Sequence, residues 1–439
     1  MRESDLIENV RECLHRSIIS VCNFRWLFYH GLIIAMTWNL SHGDIVDSRF
    51  ELLTQVGSGG FATVWKAHDD YTGESIALKL PDDSSHDRSV VETRFEQEKS
   101  ILRYLSGSMT ASCIAHLVNA QFTRTGPYIA LEYISGGDLD DLRSSQSGEV
   151  DTRSESHPLF AVAQMMAFIH LNQILHLDVK PKNIRHREDG TLALVDFNTS
   201  VRSFTGDSTL FYADRYTPPE LAPTDLRNAE TGAWSDVYSA GKTIHYLLTG
   251  QSYDLDETPA SGLDPRSDGA SCTQSVSKVI QSATKRDPAA RPSDGGELLQ
   301  QLRTAAGLSK RTAVLRESRG DITVEITPGD SVGRPLGQEP TPEIKLIDGQ
   351  QHISEQQFRI EWDGSRWVLY DTSLNGTYIN DGTGWTWILS DEGYQQQLSA
   401  GRIDRTADQP HGGAILTDGT TISPVDPEYG FELVFSTAK

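Results

Sequence analysis

The sequence predicts a multidomain α+β chain that closes in an all-β sandwich, and three observations carry that expectation. Its 439 residues leave room for two or three domains, each with its own core. Up to Arg303, apolar runs at strand spacing are interleaved with runs at helix spacing. From Ala313 onward, short strands separated by Gly, Asp and Pro turns take over. The divisions expected are residues 1–47 as an N-terminal extension, 48–305 as the mixed domain, 306–312 as a linker and 313–439 as the sandwich.

A formal charge of -22 argues against a nucleic-acid partner, since a basic face would need still more acid elsewhere. Cys13, Cys22, Cys113 and Cys272 lack metal-ligand spacing, which points to a reducing, cytoplasmic setting. Cys113 and Cys272 read as buried apolar side chains. At the N-terminus, Ile18 to Trp38 is apolar and aromatic, but Asn23, Arg25 and His30 interrupt it short of the roughly 20 residues a membrane span requires. Three readings stay open there: a translation start at Met36, a docking helix, or a membrane anchor. A membrane association of the remaining chain is not expected.

In chain order, Phe50 to Val56 reads as a strand running into Gly57-Ser58-Gly59-Gly60, with Trp65 to Ala67 returning as its partner. Glycine lets the backbone of such a turn lie over phosphate oxygens and donate N–H groups to them. Ile76-Ala77-Leu78-Lys79 is a strand that ends on a cation, and the acidic helix expected over Val90 to Leu105 supplies an anion for it. Glu92 and Glu96 read as solvated. Pro158 to Ile174 has the composition of a buried helix with proline in its first turn. The stretch Ile174 to Asn198 then gathers Asp178, Lys180 and Asn183 on one loop and Asp196 on the next, after the apolar run Leu192 to Val195. Phosphoryl transfer needs such parts: a carboxylate for the attacking hydroxyl, a lysine for the moving phosphoryl group and oxygen ligands for Mg²⁺.

Taken together, these residues resemble a eukaryotic-type protein kinase, whose catalytic loop H-R-D-x-x-x-x-N stands here as His176-Leu177-Asp178 with Asn183, and whose D-F-G is Asp196-Phe197-Asn198. The resemblance implies a bilobal protein-kinase fold, ATP as substrate, and Mg²⁺ with Mn²⁺ as an alternative. It implies Asp178, Lys180, Lys79 and Glu98 as catalytic residues and Asn183 and Asp196 as metal ligands. The implied nucleotide set is Gly57, Ser58, Gly59, Gly60, Val64, Ala77, Lys79, Glu132, Ile134 and Asp138, with Tyr128 to Ile134 as the strand and hinge that receive the adenine through backbone groups and Leu131 behind the base. His176 would brace the loop. D-x-K-x-x-N favours protein Ser/Thr acceptors, autophosphorylation near Thr304 or Thr312 included.

Departures from the family pattern carry their own expectations. Leu177 replaces the arginine that receives an activation-loop phosphate, so that switch is not expected. Asn198 replaces glycine and is expected to supply positive φ. Ala213 stands where a threonine usually bonds the catalytic pair, three residues before Tyr216 of Tyr216-Thr217-Pro218-Pro219-Glu220. Further along, Trp234 to Gly241 resembles the central helix of the larger lobe. Asp236 would cap the catalytic loop, and Arg291 would pair with Glu220.

In the C-terminal region, strands are expected at Ile322 to Ile326, Ile344 to Ile347, Phe358 to Trp362, Trp367 to Tyr370, Thr377 to Ile379 and Phe431 to Phe435, with Asp381 to Gly412 as an insertion. Val332-Gly333-Arg334, Ile353-Ser354 and Asp371 to Thr377 resemble a forkhead-associated (FHA) domain, a phosphothreonine reader. The implied ligand residues are Arg334, Ser354 and Asn375. Gln357 stands where a histidine usually braces that site, and Glu355 places an acid beside it. Its partner would be a phosphothreonine protein or the chain's own phosphorylated segment. The competing reading is a pseudokinase scaffold that gathers phosphoproteins without chemistry.

Overall fold

A computed structural model describes residues 40–437 apart from 60–61, 83–87, 107–108, 112, 124–125, 146–151, 155, 203–214, 223–230, 309–310, 321, 336–341, 349–351, 364 and 404–412. The questions posed by Met36 and the preceding segment, by Gly60 and by Ala213 lie outside those residues. Leu40 to Lys439 forms one compact unit.

Along the chain, strands β1 (Ile45–Val46), β2 (Phe50–Ser58), β3 (Ala62–Asp69) and β4 (Ser75–Pro81) precede helix α1 (Arg88–Leu105). Strands β5 (Met109–Ala111), β6 (Leu117–Thr123) and β7 (Gly126–Glu132) follow it. Six of these form one antiparallel sheet in the order β1-β2-β3-β4-β7-β6. The sheet therefore begins at Ile45, ahead of the boundary expected at residue 48. Strand β7 is buried over Gly126 to Leu131, as its unbroken apolar run requires. Helix α1 contributes buried Val91, Phe95, Ile101, Leu102 and Leu105 to the core.

The larger lobe holds α2 (Leu139–Ser145), α3 (Pro158–Leu171), β8 (Ile174–Leu175), β9 (Ile184–His186), β10 (Leu192–Leu194), β11 (Val201–Arg202), α4 (Ala233–Thr249), α5 (Gln274–Ala283) and α6 (Gly295–Ala306). Helix α3 is buried on nearly every face, and it opens on Pro158 with His157 Nδ1 accepting from Leu159 N at 3.1 Å. A helix apolar all round must sit at the centre of its domain, and this one is a rigid base for the loop that leaves its C-terminus. Gly295 allows α6 to lie directly on α3, because a Cβ there would run into the backbone of Met166 and Ala167. Arg291 forks onto Glu220 at 2.8 and 3.0 Å and donates as well to the carbonyls of Lys285, Trp234 and Arg286.

The sandwich is built from β12 (Ala313–Glu317), β13 (Thr323–Ile326), β14 (Ser331–Gly333), β15 (Ile344–Leu346), β16 (Phe358–Trp362), β17 (Trp367–Asp371), β18 (Thr377–Asn380), β19 (Trp385–Ile388), helix α7 (Asp391–Ser399), β20 (Gly413–Leu416), β21 (Thr421–Ser423) and β22 (Leu433–Thr437). One sheet runs β13-β12-β22-β21-β18-β19 and the other β20-β17-β16-β14-β15-β5. The expected strands are present with ends shifted by up to two residues. The insertion expected from Asp381 contributes β19 and α7, the one α-helix among the sandwich's described residues.

The last strand of the second sheet belongs to the other domain. Met109, Thr110 and Ala111 of β5 pair antiparallel with Leu346, Lys345 and Ile344 of β15. Nearby, the Asn172 side chain bonds both backbone groups of Thr323 at 2.8 Å, and Arg303 meets Glu325 at 2.9 Å. Among the described residues, no helix is long and apolar enough to cross a membrane.

Candidate active site

A cavity of about 660 Å³ opens between the first sheet and the larger lobe. It is lined by Gly57, Ser58, Gly59, Val64, Ala77, Lys79, Glu98, Glu132, Ile134, Asp138, Asp178, Lys180, Asn183 and Asp196. The whole expected nucleotide, catalytic and metal set therefore converges on one space, apart from Gly60.

Strand β4 carries Lys79 into this cavity, where Nζ reaches both Glu98 oxygens at 2.8 and 2.7 Å and Asp196 Oδ1 at 2.6 Å. Glu98 is 1% exposed, whereas Glu96 lies on the outer face of α1 with Lys99. Burial works against the charge on Lys79, but Asp196 and Glu98 outweigh it and hold the ammonium protonated. Burial likewise disfavours an ionised Asp196, yet Lys79 prevails and keeps its carboxyl below the usual range. The Lys79–Asp196 contact bridges the two lobes.

On the catalytic loop, Asp178 Oδ2 meets Lys180 Nζ at 2.8 Å and Asn183 Nδ2 at 2.9 Å. The same amide nitrogen donates to the Asp178 carbonyl at 2.8 Å, which leaves the Asn183 side-chain oxygen as its acceptor atom. Burial pushes the Asp178 pKa up, with Lys180 opposing. Asp236, at the start of α4, accepts from His176 N at 2.8 Å and Leu177 N at 2.7 Å. His170 Nε2 lies 3.1 Å from the same carboxylate, while His170 Nδ1 accepts from Gly295 N at 2.8 Å. His176 Nε2 approaches Val195 O at 3.3 Å and its ring lies edge-on to Phe197. The loop is thus held from behind by buried groups that do not face the cavity.

Positive φ does not fall on Asn198. Asp196 (φ 64) and Leu177 (φ 61) carry it, each held by the contacts just described. Asn198 lines the cavity with its buried Oδ1 unpartnered among the described residues. Leu177 packs with Leu175, Leu221 and Ala233. Both described cysteines are free thiols, and burial pushes Cys113 up to about 12.

Several cavity residues escaped the sequence reading. Arg94 sits four residues before Glu98 on α1 and so shares its face, a signal present in the spacing. Lys182, Arg185 and Thr217 also line the wall, with no comparable signal. A hard divalent cation fits the donor set, because Asp196 and Asn183 offer oxygens within one cavity. Among the described residues no cluster of three or more His, Cys, Asp or Glu forms a dedicated metal cage, so such a cation would lean on phosphate oxygens as well.

In the sandwich, Arg334 N donates to Ser354 O at 2.9 Å and Arg334 Nε to Ile353 O at 3.0 Å. Gln357 is fully buried and accepts from Ser354 N at 2.9 Å while donating to Gly376 O at 2.9 Å and Thr377 Oγ1 at 3.1 Å. It thereby ties the Ser354 segment to the turn that presents Asn375. Glutamine can do what the expected histidine would, because its amide both donates and accepts. Helix α7 adds a contact that the sequence did not suggest: Gln397 Nε2 reaches Leu374 O at 2.8 Å and Asn375 Oδ1 at 3.3 Å. Glu355 is exposed, and its backbone packs so closely on Gly333 that no side chain fits there.

A protein kinase domain model matches residues 50–302 and an FHA domain model matches residues 331–384. CBL-interacting serine/threonine-protein kinase 8 of Arabidopsis thaliana is 31% identical over 205 residues, covering 46% of this chain and 44% of its own. Probable serine/threonine-protein kinase PknB of Lactococcus lactis is 25% identical over 283 residues, 61% of this chain and 44% of its own. Serine/threonine-protein kinase PrkC of Bacillus subtilis is 24% identical over 356 residues, 76% of this chain and 52% of its own. The chain spans about half the length of the curated relatives it matches. With the kinase match running over more than half of the 439 residues, this chain belongs to the protein kinase family and carries an FHA domain behind its kinase domain.

Proposed function

We propose that the chain is an ATP- and Mg²⁺-dependent serine/threonine protein kinase whose FHA domain recruits phosphothreonine partners. The observation that carries the reading is the convergence of Lys79, Glu98 and Asp196 with Asp178, Lys180 and Asn183 on one cavity. Lys79, oriented by Glu98, binds the α- and β-phosphates of ATP, and the backbone of Glu132 and Ile134 receives the adenine. Asp178 takes the proton of the acceptor hydroxyl as oxygen attacks the γ-phosphorus, while Lys180 offsets charge on the moving phosphoryl group. Asn183 and Asp196 hold Mg²⁺, which when bound neutralises phosphate charge. A scaffold without chemistry has less support, since all of these side chains are present and mutually engaged. Transfer of label from γ-labelled ATP to Ser/Thr peptides, with and without Mg²⁺, tests the reading. Absence of transfer with every divalent metal tried favours the scaffold.

Because burial raises the Asp178 pKa, the acid limb of kcat/KM is expected above the ordinary aspartate range. Lys180 opposes that rise, so Lys180→Met should move the limb to still higher pH as well as lowering the rate. A pH–rate profile of both proteins checks the direction, and a limb that moves down or stays fixed refutes it.

The FHA reading rests on Arg334, Ser354 and Asn375 flanking the Gln357 brace. Arg334→Ala should weaken phosphothreonine-peptide binding by tenfold or more, about the 1.5–3 kcal/mol of a charge-assisted hydrogen bond. Phosphotransfer to a generic substrate should stay within about twofold. Calorimetry showing equal peptide affinity in both proteins would remove the reader assignment.

A further inference from the structure

Glu132 ends β7 and lines the cavity, yet its carboxylate is held by cations that belong to two other elements. Arg187, just past β9, binds Glu132 Oε1 through Nη2 and, at 3.0 Å, through Nε. Lys345, on β15 of the FHA domain, brings Nζ to 3.5 Å from Glu132 Oε2. Lys345 is only 2% exposed and sits between Ile344 and Leu346, both buried apolar residues. A buried ammonium is tolerated only where an anion compensates it, and here that anion comes from the other domain. Burial disfavours the charge on Lys345, and Glu132 counteracts this. Burial also disfavours the charge on Glu132, and Lys345 with Arg187 more than offsets that.

The geometry on both sides is fixed. Thr110 of β5 pairs with Lys345 itself, so the kinase domain sets the register of the strand that delivers the lysine. Glu132 pairs with Ile76 of β4, and its N–H donates to His116 O at 2.9 Å. The next residues, Tyr133 and Ile134, line the cavity. Whatever holds the Glu132 side chain therefore holds the first residue of the segment where the lobes connect.

We propose that Lys345 is a positioning residue for nucleotide binding: the FHA domain reaches through Glu132 to fix the backbone on which the adenine rests, and so sets the kinase domain's affinity for ATP. The inference rests on the nucleotide reading of the cavity.

The test measures the dissociation constant of Mg²⁺–ATP by calorimetry on the full chain, together with KM for ATP and kcat. Lys345→Met should raise the dissociation constant and KM by about five- to fiftyfold, within the range of site-to-site coupling, with kcat within about twofold. Lys345→Arg should recover most of the loss. Glu132→Gln should reproduce it, and adding Lys345→Met should worsen it little, because the two changes break one interaction. Asn172→Ala, which cuts the contact with Thr323 elsewhere on the domain boundary, should leave ATP affinity near the wild-type value. Should Lys345→Met fail to give a cooperative thermal melt, Glu132→Gln and Lys345→Arg carry the comparison. Unchanged ATP affinity in Lys345→Met, or an equal loss in Asn172→Ala, overturns the positioning role and leaves a domain that is merely docked. A wild-type chain that binds no ATP at all removes the nucleotide reading and this inference with it, a result separable from the first by the wild-type titration alone.

Discussion

Asp178→Ala should lower phosphotransfer by about a thousandfold, within the 10²–10⁴ that a positioned general base contributes. The size follows from what one carboxylate oxygen does. Asp178 Oδ2 receives both Lys180 Nζ and Asn183 Nδ2, so its removal takes away the proposed proton acceptor and one partner each of Lys180 and Asn183. ATP affinity should change by only a few-fold, because the Lys79–Glu98 pair does not depend on Asp178. Labelled autophosphorylation measured beside calorimetric ATP titration checks both halves. Equal labelling of wild type and variant would mean that proton removal does not limit the reaction or that Asp178 is not the base.

The largest loss of stability is expected at a pair far from the chemistry. Arg291→Ala should cost about 3–5 kcal/mol, the range for breaking a buried ion pair from one side. The Arg291 side chain is fully buried against Glu220, and every nitrogen of the guanidinium is engaged. Alanine would strand the Glu220 carboxylate with Ser235 Oγ, at 2.8 Å, as its remaining hydrogen-bond donor among the described residues. It would also remove a donor from the carbonyls of Lys285, Trp234 and Arg286. Arg291→Lys should recover little, since one ammonium cannot reproduce a planar fork with five donors. Urea unfolding followed by tryptophan fluorescence measures the loss, and a change below about 1 kcal/mol would show that water reaches the pair.

Much of the active cavity was legible because its chemistry is ordered along the chain. Lys79, Glu98, Asp178, Asn183 and Asp196 each follow a local pattern, and the resemblance to the kinase family, whose paired glutamate precedes an apolar pair as Glu98 precedes Ile101-Leu102, chose Glu98 over the exposed Glu96. Backbone conformation was less legible. Residue type pointed to Asn198 for positive φ, but Lys79 pulls on Asp196 and Asp236 on the Leu177 amide, and tertiary contacts outrank intrinsic preference. Helix α7 was hidden because its sequence, DEGYQQQLS, has too little apolar content to show a buried face. Strand β5 was illegible for a different reason. Three residues carry no period, and their hydrogen-bonding partner lies in another domain.

That borrowed strand bears on how the protein can be divided. A fragment cut at the linker would carry β15 with one edge of Ile344 to Leu346 stripped of its partner, and bare strand edges invite pairing with other molecules. The same cut would leave Lys345 without its counter-ion. The FHA domain is therefore a piece of the larger body and not a detachable bead, and its solubility when isolated would report on the wound as much as on the domain.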